Sequence, residues 1–241
     1  MKQRVQVAIA PLRKEPSDRS EMVSQALMGE ELSILDRQEK WTMVRMFSDG
    51  YEGWMDNKQF GESDDVEGYQ ELSSPISHCT GADGSSIWLP AAARVPAHWK
   101  VEPTQSIAHA GAAGVALSAN QFLNAPYLWG GRTILGIDCS GFTQLVFRLN
   151  GISIPRDAYQ QAEMGTTISF IEETQVGDLA FFDNAEGRIV HVGIVLRNSE
   201  GHVDVIHASG KVRVDALDHQ GIFNRETGSY THKLRIIRRV V

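Results

Sequence analysis

A chain of 241 residues with 42% apolar content can bury a sizeable core and folds as one large domain or two smaller ones. Its formal charge of −7 supplies no basic field for DNA, RNA or anionic lipid, so no nucleic-acid partner is expected. The longest small-apolar run, around residues 110–117, falls far short of the roughly 18 residues that cross a bilayer, and the opening MKQRVQVAIAPLRKEPSDRSE is too charged for a secretory leader. The expectation is a cytoplasmic chain with no membrane partner. Cys79 and Cys139 are the two cysteines; no Cys-x-x-Cys or Cys/His cluster accompanies them, so free thiols, no metal and no cofactor are expected.

The first sixty residues alternate short apolar runs with turn signals: VQVAIAPL, EPSDRSEM, VSQAL, GEELSIL, WTMVRM and YEGWM. This spacing reads as a small antiparallel β barrel over residues 1–62. The acidic stretch GESDDVEGYQELSSP follows as a linker or exposed edge. SSIWLPAAARVP and HWKVEP, whose prolines argue against helix, suggest a second, smaller barrel within residues 63–111. From about Ala112 the pattern changes. Val115, Leu117, Phe122 and Leu123 have helix-like spacing up to Pro126. Phe142, Leu145, Val146 and Leu149 then fall at i, i+3, i+4 and i+7, predicting a helix from Cys139 to Asn150-Gly151. Strand-like segments follow at GDLAFF, HVGIVL, VDVIHAS and KLRIIRRVV. Helices first and antiparallel strands after is an α+β order for residues 112–241.

A cysteine at a helix N-terminus sits beside free backbone N–H groups, which predicts a lowered thiol pKa; a buried, inert thiol is the alternative. The segment RNSEG between HVGIVL and VDVIHAS suits a hairpin turn. A fold about residue 199 would make His191 and His207 cross-strand partners, with Cβ atoms roughly 4.5 to 5.5 Å apart. Cys139, His191 and His207 would then supply nucleophile, base and orienter. The remaining histidines, His78, His98, His109, His202, His219 and His232, show no such arrangement and are expected to be structural or exposed. Cys79, in the turn-like HCTGADG, is expected to be structural.

The run NAPYLWGGRTILGIDCSGFTQLVFRLNGISIPRDAYQQAEMG, followed by VGDLAFF, HVGIVL and VIHASG, resembles the NlpC/P60 peptidases, a papain-like family that cuts bacterial cell-wall peptides. The resemblance implies Cys139 as nucleophile, His191 as general base and His207 as the third polar residue. It also makes Tyr127 of the YxWGG motif a candidate oxyanion donor beside the Cys139 backbone N–H, or else a core aromatic. The stretches PLRKEPSDRSEMVSQALMGEELSIL and DGYEGWM resemble a bacterial SH3 (SH3b) domain, with a divergent second copy expected over residues 63–111.

Together the two halves are similar to γ-D-glutamyl-L-diamino acid endopeptidases, which cut short murein tripeptides or tetrapeptides after D-glutamate. In that group an acidic residue before the catalytic cysteine reads the free α-amino group, and Asp138 holds that place; the other job for Asp138 is the helix N-cap. Ser140 either assists in the same pocket or is a first-turn residue. Glu52 either contributes to the amine pocket or is an exposed strand residue. Arg156 and Asp157 match the family motif and shape the groove. The expected activity is recycling of cell-wall peptides. The alternatives are a wall-anchored lytic hydrolase and a binding module without catalysis.

Overall fold

The computed structural model describes residues 2–63, 68–103 and 111–240. Its contacts divide the chain into two units, Met1–Ile107 with Trp129–Ile134, and Ala108–Leu128 with Leu135–Val241.

The first unit is built of strands. A seven-stranded sheet runs in the order Met22–Leu27, Ile9–Arg13, Glu52–Asp56, Trp41–Met46, Glu31–Arg37, Lys2–Val5 and Phe60–Ser63. Its neighbours are antiparallel throughout. Alternation along these strands turns Val5, Ala10, Leu12, Leu32, Val44, Met55 and Phe60 into one buried cluster, the outcome expected of short strands with one apolar face. Beyond it, Ile76–Thr80, Ser86–Pro90 and Lys100–Pro103 form a three-stranded sheet, and Tyr69–Glu71 pairs with Arg94–Pro96. The stretch read as a linker therefore contains a strand. Pro90 and Pro96 both close a strand, where a missing N–H costs little. Cys79 lies within a strand, fully buried, rather than in a turn.

The excursion Trp129–Ile134 belongs to this first unit although its neighbours in sequence do not. This segment lies inside the stretch 112–241 expected as the catalytic domain, and buried polar chemistry ties it to strands of the first unit. The Arg132 backbone N–H donates to Gln25 Oε1 at 2.8 Å, and Arg132 Nη1 donates to the Gln25 carbonyl at 2.6 Å and to Glu30 Oε2 at 3.3 Å. Trp129 Nε1 donates to Glu21 Oε1 at 2.8 Å. Gly130 has φ +76° and approaches so closely that a Cβ there would lie 2.5 Å from the Met22 carbonyl oxygen.

The second unit carries three helices, α1 (Gly111–Asn120), α2 (Cys139–Leu149) and α3 (Ala158–Gln161), and a sheet. The sheet runs Thr166–Ile168, Ser229–Arg239, Leu179–Asp183, Ile189–Arg197, Val203–Ser209, Lys211–Leu217, Gly221–Asn224, and the last strand pairs back to Ser229–Arg239. That return pairing closes the sheet on itself. One face holds the cluster Ala180, Phe182, Val195, Val205, Leu217, Ile222 and Ile237. Leu179, Phe181, Val192, Ile194 and Ile206 are also fully buried, and all three helices pack against Ile189–Arg197. Burial on both faces is why HVGIVL and VDVIHAS read as nearly continuous apolar runs.

Helix α2 starts and stops where its signals lie. Asp138 is its N-cap and accepts from the Gly141 backbone N–H. At the other end the Gly151 N–H donates to the Arg148 carbonyl and the Ile152 N–H to the Phe147 carbonyl, with Gly151 at φ +78°, a glycine-closed Schellman end. Helix α1 departs from its expected stripe: Val115 and Phe122 are buried, but Leu117 and Leu123 are exposed; Leu117 lies within the helix on the same exposed side as Asn120, and Leu123 lies in the turn after the helix ends at Asn120. His109 lies outside the described residues. Among the described residues no helix is long and apolar enough to cross a membrane.

The Arg132–Glu30 pair is nearly inaccessible on both sides. Glu30→Gln keeps an acceptor for the Leu27 N–H but leaves the guanidinium without its counter-charge, and breaking a buried pair costs about 3 kcal/mol or more. Chemical denaturation of the full chain should show that loss in the transition of the first unit; a loss under about 1 kcal/mol would mean the pair does not hold the excursion.

Candidate active site

Cys139 is the first residue of α2 and is 6% exposed. The turn that presents it is held from several sides. Asp138 Oδ1 accepts from the Gly141 backbone N–H at 2.7 Å and from Arg156 Nη1 at 3.0 Å, and Asp138 Oδ2 accepts from Arg156 Nη2 at 2.6 Å. Arg156 Nη1 also donates to Ser140 Oγ at 2.9 Å. Gln161 Nε2 donates to the Ser140 and Pro155 carbonyls at 3.1 and 2.8 Å, while its Oε1 accepts from Thr143 Oγ1 at 2.7 Å. The first turn of α2 is thus tied to residues 155–161. Tyr127 is brought alongside by backbone pairing: it bridges Ile137, and the Leu128 N–H donates to the Ile137 carbonyl at 3.1 Å.

The two predicted histidines meet, but in a different register. Gly193, not His191, is directly opposite His207, so the hairpin folds about residue 200 rather than 199. His191 and His207 are diagonal neighbours on one face, and His191 Nε2 lies 2.8 Å from His207 Nδ1. Gly193 is what permits this approach. A Cβ there would lie 3.0 Å from His207 Cβ and 2.5 Å from a Val205 methyl; the neighbouring strand leaves no room for a side chain.

Two neighbours went unrecognised in the sequence. His232, expected to be structural or exposed, stacks on His191 with ring centroids 4.2 Å apart; the correction follows from Ser229–Arg239 pairing with Leu179–Asp183, whose Phe182 is opposite His191. Asp215 is fully buried, and its Oδ2 lies 3.1 Å from His207 Nε2. A signal for it existed. The turn at Gly210 in VIHASGKVRVDAL puts Arg213 opposite His207, and a carboxylate two residues on, amid Val and Ala, falls on the same face.

Burial controls the ionisation of the pair. The thiol of Cys139 is pushed up to about 12, first by desolvation and then by the charge of Asp138, against backbone donors from Val192 and Ser140 and the charge of Arg156. The helix terminus was expected to lower it; the cost of placing a thiolate in a dry site beside a carboxylate outweighs the helix end. His191 is held well below its ordinary value by burial and by His207 and His232. Near pH 7 the thiol and the imidazole are therefore both neutral. Tyr127 is pushed up to about 12, by burial first and by Cys139 and Asp138 next, so its phenol keeps its proton and remains a donor.

The profile of the NlpC/P60 family matches residues 124–230, and that of a bacterial dipeptidyl-peptidase SH3 domain matches residues 12–60. A γ-D-glutamyl-L-lysine dipeptidyl-peptidase of Bacillus cereus (strain ATCC 10987 / NRS 248) is 25% identical over 254 residues, covering 87% of this chain and 75% of the relative. The same-named protein of Bacillus subtilis (strain 168) is 31% identical over 202 residues, covering 71% of this chain and 68% of the relative. The chain belongs to the NlpC/P60 family. A crystal structure of an NlpC/P60 family protein from Bacillus cereus ATCC 10987 shares the fold, with a TM-score of 0.81 over 100% of this chain and 99% of the other at 21% identity.

The chain is accordingly a cysteine peptidase preceded by an all-β SH3-like region. Of the other expected site residues, Ser140 is buried and engaged by Arg156, the situation of a first-turn residue. Asp138 fills the N-cap role. Glu52 is exposed on its strand in the first unit, directly opposite Arg45, whose Nη2 donates to Glu52 Oε1 at 2.6 Å; this is a cross-strand surface ion pair. Asp157 precedes α3 as its N-cap residue without a side-chain cap bond.

A neutral resting thiol has a kinetic signature. Carboxamidomethylation of Cys139, followed by peptide mass spectrometry to separate it from Cys79, should accelerate about tenfold per pH unit from pH 6 to 9, because the thiolate is the reactive form. A rate already level at pH 6 would reveal a resting thiolate–imidazolium pair.

Proposed function

We propose that this peptidase hydrolyses the bond between γ-D-glutamate and a diamino acid in short cell-wall peptides that carry a free N-terminal L-alanine. The observation that carries the proposal is the placement of the Asp138–Arg156 pair immediately before the Cys139 thiol, in a chain 31% identical over 202 residues to a γ-D-glutamyl-L-lysine dipeptidyl-peptidase. A papain-like course fits a helix-borne thiol packed against the strand that bears the histidine. His191 takes the thiol proton as sulfur attacks the γ-glutamyl carbonyl. The oxyanion receives hydrogen bonds from the Cys139 backbone N–H and the Tyr127 phenol. The C–N bond then breaks, the departing amine takes the proton from His191, and L-Ala-D-Glu stays on sulfur as a thioester. Water, deprotonated by His191, cleaves the thioester and returns the thiol.

In this reading Arg156 holds the Asp138 side chain in place through two hydrogen bonds, and the substrate α-ammonium is drawn to that carboxylate by a charge-assisted hydrogen bond. An acylated terminus brings no cation and forfeits that attraction. Glu52 is given no part in it. The substrates would be murein tripeptides or tetrapeptides, the setting recycling of wall peptides in the cytoplasm, and residues 63–111 a divergent second SH3b module.

Digestion of L-Ala-γ-D-Glu-diaminopimelate, its N-acetylated form and intact peptidoglycan, read by mass spectrometry, tests this. L-Ala-D-Glu should appear from the free tripeptide alone, and Cys139→Ala should bring turnover to background. Release from intact wall would instead make the protein a lytic hydrolase. An Asp138→Asn chain that slows on free and N-acetylated peptides alike would remove Asp138 from amine recognition.

A further inference from the structure

Beyond the thiol and its two histidines, a buried polar chain continues on the same sheet face. His207 Nε2 is 3.1 Å from Asp215 Oδ2. Asp215 is in turn gripped from its far side: Arg213 Nε donates to Oδ2 at 2.7 Å, Arg213 Nη2 donates to Oδ1 at 3.1 Å, and the Arg225 backbone N–H donates to Oδ1 at 3.0 Å. The cation is itself anchored, through Nη1 to Glu226 Oε2 at 2.9 Å and through Nη2 to Asn224 Oδ1 at 3.0 Å. A fully buried carboxylate with this many donors is an ion, and the donors from His207, Arg213 and Arg225 hold its pKa well below the usual carboxylate range despite burial.

We propose that Asp215 is a positioning residue that sets the tautomers of both histidines and so leaves His191 Nδ1 as the bare nitrogen that serves the thiol. A carboxylate only accepts, so His207 Nε2 must carry the ring proton. In a neutral imidazole this leaves His207 Nδ1 bare, and across 2.8 Å it can accept only if His191 Nε2 is the donor. His191 Nδ1 is then bare, and a bare nitrogen is what a base needs. When His191 takes the proton of Cys139, the new positive charge lies two hydrogen bonds from the buried anion, which stabilises it. His232, stacked on His191, is itself lowered to about 4, by burial first and by His207 next, so near pH 7 it adds no competing charge. Among the described residues, the titratable and charged groups beside the chain include Cys139 with Asp138, Arg156 and Tyr127 on the thiol side, His232 stacked on His191, and Arg213 with Glu226 behind Asp215.

The inference rests on the peptidase reading, but it is tested first without substrate. Nitrogen-15 NMR of the imidazoles in the full wild-type chain at pH 7 should show both His191 and His207 protonated at Nε2 and bare at Nδ1; a proton on His191 Nδ1 overturns the proposal, whatever the substrate proves to be. The second arm is Asp215→Asn. An amide can present either a donor or an acceptor, so the wrong tautomer becomes accessible; outer partners of this kind are worth about 10- to 100-fold. With the tripeptide, kcat should fall by that factor with KM within about twofold, and the acidic limb of the kcat/KM profile should move to lower pH, because the imidazolium has lost its anion. A kcat within about threefold of wild type with an unmoved acidic limb overturns it. Should Asp215→Asn fail to fold, the wild-type tautomers decide.

Discussion

The site depends on the salt bridge between Asp138 and Arg156, buried on both sides, at the start of α2. One carboxylate oxygen caps the helix and the other completes a two-pronged grip by the guanidinium. Such a pair costs desolvation, and geometry of this quality is what recovers it. Its effect is positional: with α2 fixed at its first residue, the thiol is presented at the strand Ile189–Arg197 rather than somewhere within a fraying turn. The rest follows from that placement, since the Val192 backbone N–H, one residue from His191, reaches the sulfur.

The same burial that positions the thiol also quiets it. A resting pair of neutral groups differs from a permanently charged nucleophile. In the proposed mechanism the cost of separating charge is deferred to the encounter with substrate, where a developing oxyanion and a paired imidazolium would share the site. A buried thiol at rest is also protected from oxidation, which follows thiolate character and exposure.

Much of this was legible in the residues. The apolar spacing of Phe142, Leu145 and Val146, with Asn150-Gly151 behind it, located α2 between its observed ends, because helix periodicity and a glycine end are local properties. Cys139, His191 and His207 were legible through ordered motifs and a turn. The register was not: a hairpin centred on residue 199 or on residue 200 satisfies the same sequence, and it is Gly193, with no side chain to add to the face, that stands directly opposite His207. His232 and Asp215 escaped because they arrive from strands remote in sequence, and because the strand Lys211–Leu217 was not recognised at all; its internal charges, Arg213 and Asp215, mask the alternation. The thiol pKa was misjudged for a related reason. A helix end is visible in sequence, but desolvation is a property of what packs on top. The excursion Trp129–Ile134 was hidden likewise, since nothing local announces that Arg132 finds its counter-ion at Glu30.

The contribution of Gly193 bears on how sequences of this kind can vary. The space a side chain would need there is already taken by a Val205 methyl and the β-carbon of His207, so the position behaves as though it were filled. A methyl group there would pass as a mild change by polarity or charge, yet it would have to push the neighbouring strand, and His207 with it, aside. Tolerance to substitution at this point of the strand is therefore set by free space rather than by chemistry, and a residue with no functional group is held as firmly by its neighbours as the histidine two places before it.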